Sequence, residues 1–154
     1  MISDLPILKK AIEIDFDSFF LKVLENKEVA KFIEDLNKEQ LSKSIDSRGI
    51  KLSYEDFDGN ERTGYSYLTE KISKGKKKRG QPFTLYDTGD FYNSIKAMPE
   101  LGGLEIIADP NKEDDNLFDK FGKDIIGLTY ENLQKLQEFV KPIVQKELRR
   151  YLLQ

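Results

Sequence analysis

The side chains able to do chemistry here are carboxylates, amines and hydroxyls, because the chain has no histidine and no cysteine. Without imidazole there is no Ser-His-Asp or Cys-His couple, no histidine metal site and no side chain whose ordinary pKa lies near neutrality. Without thiols there are no disulfides, thiolate zinc sites or cysteine nucleophiles. Three groupings remain. The first is Asp87-Thr88-Gly89 behind Leu85-Tyr86. An aspartate in such a turn does acid-base work only if a second carboxylate shares its proton, and with one triplet per chain a second copy would have to supply it.

The second grouping is a run of six cations within nine residues, Lys71, Lys74, Lys76, Lys77, Lys78 and Arg79, bracketed by Gly75 and Gly80. This composition predicts a mobile cationic loop. The third is acidic: Asp109, Glu113, Asp114 and Asp115, with Asp119 beyond them. It has oxygens enough for a weak calcium site but not the spacing and glycine of an EF-hand, and Gly75-Lys76 lacks the strand and spaced glycine of a phosphate loop. Neither metal nor cofactor is expected, no catalytic residue is assigned, and the chain is expected not to be an enzyme. Charged loops commonly do no more than keep a surface solvated. A sharper use pairs Lys74, Lys76, Lys77, Lys78 and Arg79 of one copy with Asp109, Glu113, Asp114 and Asp115 of the next, a heterologous contact whose register is set by charge. Direct DNA binding is not expected, since a net charge of -3 gives no general attraction to phosphate.

Apolar spacing indicates the elements that carry these groups. A chain of 154 residues suits one domain, and 38% apolar with 34% charged residues describes a core under a heavily ionised surface. No apolar run approaches the ~18 residues of a membrane span, and no basic-then-apolar leader opens the chain, so a cytoplasmic location and no membrane partner are expected. Leu5, Leu8, Ile12, Phe16, Phe19, Phe20 and Val23 form one helical stripe, with Asp4 and Pro6 at its start. Val29, Phe32, Ile33 and Leu36 continue it, and Asn37 is a candidate cap for a further turn carrying Leu41 and Ile45. Residues 1–45 thus read as helical, and residues 46–82, without periodicity, as an extended polar arm.

Residues 83–154 then read as a hairpin plus a C-terminal helix. Phe83 to Tyr86 is strand-like, and Ser94 to Met98 with Leu104 to Ala108 make a hairpin turning at Gly102-Gly103, with Pro99 ending its first strand. Residues 116–121 form a helical turn stopped by Gly122. Thr129 caps a long helix whose stripe is Leu133, Leu136, Val140, Ile143, Val144, Leu148, Tyr151 and Leu152, with Pro142 predicting a kink or break near residue 138. The class is α+β: N-terminal helices, a small antiparallel hairpin-based sheet and a long C-terminal helix.

Leu85, Asp87, Thr88, Gly89, Phe91, Ser94 and Ile95 together resemble the L-x-D-T-G-x-(L/F)-x-x-S-(I/F) signature of phage virion-morphogenesis and tail-completion proteins, including the Mu-like group. The elements after it come in a similar order: a hairpin, the aromatic-glycine pair Phe121-Gly122, the loop Ile126-Gly127-Leu128-Thr129 and a long helix. Upstream, Gln40-Leu41, Asp46 to Gly49, Tyr67 and Lys71 look like versions from phages or prophages of Bacteroidetes. The likeness covers residues 38–153 and lacks the Pro-Ala-Arg-type loop of the broader Mu-like pattern. It implies a structural virion protein of the neck, at the head-tail joint. Such a protein is made in the host bacterial cytoplasm, forms ring-like homo-oligomers and contacts connector or tail proteins. In that setting Asp90 would cap a turn carrying Phe91, Phe91 and Ile95 would enter the core, and Asp87 and Ser94 would bond local amides.

Two alternatives stay open. Asp87-Thr88-Gly89 is also the triplet of aspartic proteases, and Ile125-Ile126-Gly127 resembles the later motif of retroviral-type members, which act as homodimers. Against this, only 37 residues separate Asp90 from Ile126 inclusive, Asp114 to Phe121 reads as helical, and Asp90 stands where Ser or Ala is usual. The other alternative is a generic protein-interaction domain.

Overall fold

Three helices open the chain in the computed structural model, which describes residues 5–154: α1 (Leu5–Ile12), α2 (Phe16–Leu24) and α3 (Lys27–Ser42). The stripe from Leu5 to Val23 is not one helix. It breaks at Glu13-Ile14-Asp15, because the Asp15 carboxylate accepts bonds from the Asp17 and Ser18 amides and starts α2 afresh. Asp4 lies outside the described residues. Asn26 caps α3 through the Glu28 amide at 2.9 Å. Asn37 does not cap a new turn: α3 runs unbroken through it, and its fully buried side chain bonds residues far along the chain.

Residues 46–82 are folded and are not an extended arm. Buried Asp46 accepts from the amides of Arg48 and Ile50, both at 2.9 Å, and Leu52 enters the core. A short hairpin of β1 (Tyr54–Glu55) and β2 (Glu61–Arg62) turns around Asp56, which takes the Asp58 and Asn60 amides. Ser66 caps α4 (Tyr67–Ile72). Gly64-Tyr65 then pairs back onto Gly80 to Pro82, so α4 and the cationic loop form a closed excursion. Side chains bonding nearby amides build this segment, and they leave no apolar period to read.

Phe83 to Tyr86 is not a strand, since Leu85 takes φ 57, a left-handed value that β pairing cannot use. After α5 (Asp90–Ser94), β3 (Lys96–Glu100) pairs antiparallel with β4 (Gly103–Ile107) from Lys96↔Ile107 to Glu100↔Gly103. Pro99 sits inside β3, opposite Leu104, and does not end it; both strands of a two-stranded hairpin are edges, where a missing donor is tolerated. A third hairpin, β5 (Asn111–Lys112) with β6 (Asp115–Asn116), leads through α6 (Leu117–Phe121) and a 3₁₀ turn (Lys123–Ile125) to α7 (Tyr130–Leu153). Thr129 caps α7 through the Asn132 amide. The helix continues past Pro142 without a break. Both Pro142 and Glu138, whose carbonyl loses its donor, are exposed, and water can take that bond.

The fold is α+β, with helices packed around small antiparallel hairpins and a long C-terminal helix. Its spine is α3, which serves two apolar clusters. Leu41 joins Leu52, Phe83, Leu85, Phe91, Ile95, Leu117 and Ile125 in one. Val29 and Ile33 join Ala97 in the other, covered by Leu136, Phe139, Val140 and Ile143 of α7. Leu133 and Tyr151, placed by spacing on the same stripe, are exposed instead.

Candidate functional site

Residues 85–95 bring the predicted signature to one place and use it in two ways. Leu85, Phe91 and Ile95 are buried in the first apolar cluster. Gly89 begins α5 at φ 96, a conformation that L side chains rarely adopt. Asp90 does not cap the turn; it is the first helical residue, and its carboxylate accepts from the Thr88 hydroxyl at 2.6 Å. Ser94 bonds no neighbouring amide. Its hydroxyl donates to the Phe91 carbonyl at 2.7 Å and accepts the Asp109 amide at 2.9 Å, tying α5 to the start of the acidic hairpin.

Asp87 likewise makes no local amide bond. Its carboxylate lies 3.3 Å from Lys77 Nζ through one oxygen and 3.8 Å from Lys112 Nζ through the other, so the cationic loop and the acidic hairpin both dock on one aspartate. The Asp87 pKa falls below its ordinary value, first through the bond from Lys77 and then through its charge, with burial opposing and Lys112 and Lys76 adding. Lys77 is also held over the Tyr65 ring at 5.4 Å. The cationic loop is therefore organised: the Lys78 amide donates to Gln81 Oε1 and the Arg79 amide to Glu70 Oε2.

Two hollows flank Asp87. One, of about 1000 Å³, is lined by Lys43, Lys74, Lys76 and Lys77 with Tyr65 and Tyr86. The other, about 470 Å³, is lined by Thr88, Asp90, Lys112, Glu113 and Asp114. Asp115 turns aside to Lys120 at 3.2 Å. Among the described residues, no three acidic side chains come together as a metal could use them. Within the subunit Asp87 faces two ammonium groups and no second carboxylate among the described residues.

No protein-family model, curated protein or solved structure matches the chain.

The remaining signature residues work at the junction of α3 with the segment before α7. The Gly127 amide donates to Asn37 Oδ1 at 3.1 Å, and its carbonyl accepts from Gln40 Nε2 at 3.2 Å. Gln40 Oε1 takes the Thr129 amide at 2.9 Å, and Asn37 Nδ2 donates to the Ile125 carbonyl at 3.2 Å. Leu128 packs on the second cluster, and Phe121 meets Phe83 edge to face at 5.2 Å beside Gly122, which ends α6. Spacing along the chain singled out neither Asn37 as a tether nor Gln40 and Asn132 as its companions. Their signal was polar residues on the buried side of apolar stripes.

Proposed function

We propose that the chain is a structural protein of a tailed-phage virion, of the neck and tail-completion type, joining or terminating the tail at the head-tail interface. In this reading it assembles with copies of itself into a ring and meets connector or tail proteins, first in the bacterial cytoplasm and then in the particle. The observation that carries the reading is the use made of residues 85–95. Leu85, Phe91 and Ile95 build the core, and Asp87 clamps Lys77 to Lys112. The segment that resembles the family signature thus does structural work throughout. Large exposed apolar side chains on α1, α2 and α4 also suit a protein that docks.

The test is mass spectrometry of purified virions from the host that carries the gene, with electron microscopy of a deletion strain. Multiple copies per particle, and heads and tails that fail to join without the gene, support the proposal. Absence from particles overturns it. So would pepstatin-sensitive peptide cleavage at acid pH by the purified protein, abolished by Asp87→Asn.

A further inference from the structure

We infer that copies of this chain bind head to tail, a basic apolar face on one copy meeting an acidic apolar face on the next. The inference rests on the self-association proposed above and assigns surfaces to it.

The basic face is α4 with the loop behind it. Tyr67, Leu68 and Ile72 are exposed by 56, 65 and 74% on this one short helix. Lys71, Lys74 and Lys76 stand among them, and among the described residues none of the three has a carboxylate partner. The acidic face is the corner between α1 and α2. Ile12, Phe16 and Phe20 are exposed by 78, 58 and 45%, and the Phe16 and Phe20 rings stack at 6.4 Å into one ledge. Glu13, Asp15 and Asp17 alternate with them and outnumber Lys9 and Lys10 of the last turn of α1, and among the described residues none of the three has a cation within ion-pair distance. Each face therefore offers apolar area and an excess of one charge outside the subunit's own close ion pairs, and the two excesses are opposite in sign. A second copy supplies what each lacks.

The two faces lie at opposite ends of α3. Asn132 meets Gln40 and Phe139 meets Phe32, so the last turns of α7 lie toward the start of α3, and there α2 packs on them through Phe19, Lys22 and Val23. Ser42 and Lys43 at the other end of α3 line the hollow that Ile72, Lys74 and Lys76 complete. The 16 residues of α3 span about 24 Å. Faces so separated do not meet within one subunit, and between subunits they make the heterologous contact that closes into a ring or continues as a filament. The hairpin holding Glu113 and Asp114 sits beside the cationic loop of its own subunit, where Lys112 and Lys77 share Asp87.

Two full-length variants test this. One carries Leu68→Ser, Lys74→Glu and Lys76→Glu; the other carries Phe16→Ser, Glu13→Lys and Asp17→Lys, leaving the capping Asp15 intact. By sedimentation at low salt the wild type should grow beyond a dimer with concentration. Each variant alone, with unchanged circular dichroism, should associate more than about tenfold more weakly. An equimolar mixture should give a one-to-one pair and nothing larger, since one working face remains on each. A chain with all four charge reversals that keeps Leu68 and Phe16 should assemble with itself again, whereas the altered faces in the mixture, which have lost both apolar side chains, should not hold together. The inference is overturned by a wild type monomeric at every concentration, by variants that assemble like it, or by a mixture that does not pair. Salt-sensitive duplex-DNA binding that the first variant loses while its assembly persists would also overturn it. The functional proposal fails separately, on the absence of the chain from virions.

Discussion

The side-chain amides of Gln40 and Asn132, 92 positions apart, meet inside the protein, where Asn132 Nδ2 donates to Gln40 Oε1 at 3.1 Å. The same oxygen takes the Thr129 amide, and Gln40 Nε2 holds the Gly127 carbonyl. One glutamine on α3 thus sets where α7 starts. Gln40→Ala should cost roughly 2 to 4 kcal/mol in urea denaturation, because the Thr129 amide and the Gly127 carbonyl lose their partner in a place that water does not easily reach, and Asn132 Nδ2 is left with the Leu36 carbonyl alone. Gln137→Ala, on the exposed side of α7, should leave the midpoint unchanged. Equal effects would show that the network is not what fixes the helix.

Gly127 combines two constraints. Its φ of 114 suits no other residue, and a methyl there would stand 3.0 Å from Ser47 Cβ. Gly127→Ala should destabilise by about 1 to 3 kcal/mol. Adding Ser47→Gly should return the part due to the contact and leave the part due to the backbone. A double variant no better than the single would place the whole effect in φ.

The ion pairs of Asp87 predict a dependence on pH. Its folded pKa is depressed below the ordinary value of 3.8, so the stabilisation is present above that value and is lost as pH falls through the folded one. The carboxylate is more than half exposed, and a screened pair of this kind contributes at most about 1 kcal/mol. Asp87→Asn should therefore be mildly destabilising at neutral pH, and its denaturation midpoint should converge on the wild type below about pH 4. A gap that widens in acid would reverse the assignment.

Phe32 on α3 and Phe139 on α7 stack with ring centroids 4.1 Å apart. Phe139→Ala should lower stability by about 2 kcal/mol, less than a full core truncation because the ring is only half-buried. Leu133→Ala, at an exposed position, should change it by less than about 0.5 kcal/mol. The comparison reads directly which side of α7 faces the core.

Much of the helical framework is legible along the chain because it depends on neighbours a few residues apart. The cap at Thr129, the stop at Gly122 and the pairing of residues near 96 with those near 107 all come from local types and spacing. The segment from 46 to 82 is not legible in this way. Asp46, Asp56 and Ser66 fold it by taking amides two to four residues on, which leaves no hydrophobic period. Leu85 also departs from expectation: its residue type suits a strand, yet in the fold it is buried at a left-handed bend.

The α+β class, the chemistry denied to a chain without histidine or cysteine, and the residues of the turn at 87–89 were all set by the order of amino acids alone. What those residues face was settled by packing. Asp87 acquires its lysines from loops ten positions before it and twenty-five after, and Asn37, Gln40 and Asn132 find one another across the fold. Contacts between distant positions depend on how helices and hairpins pack, and no period along the chain records which polar side chains that packing brings together.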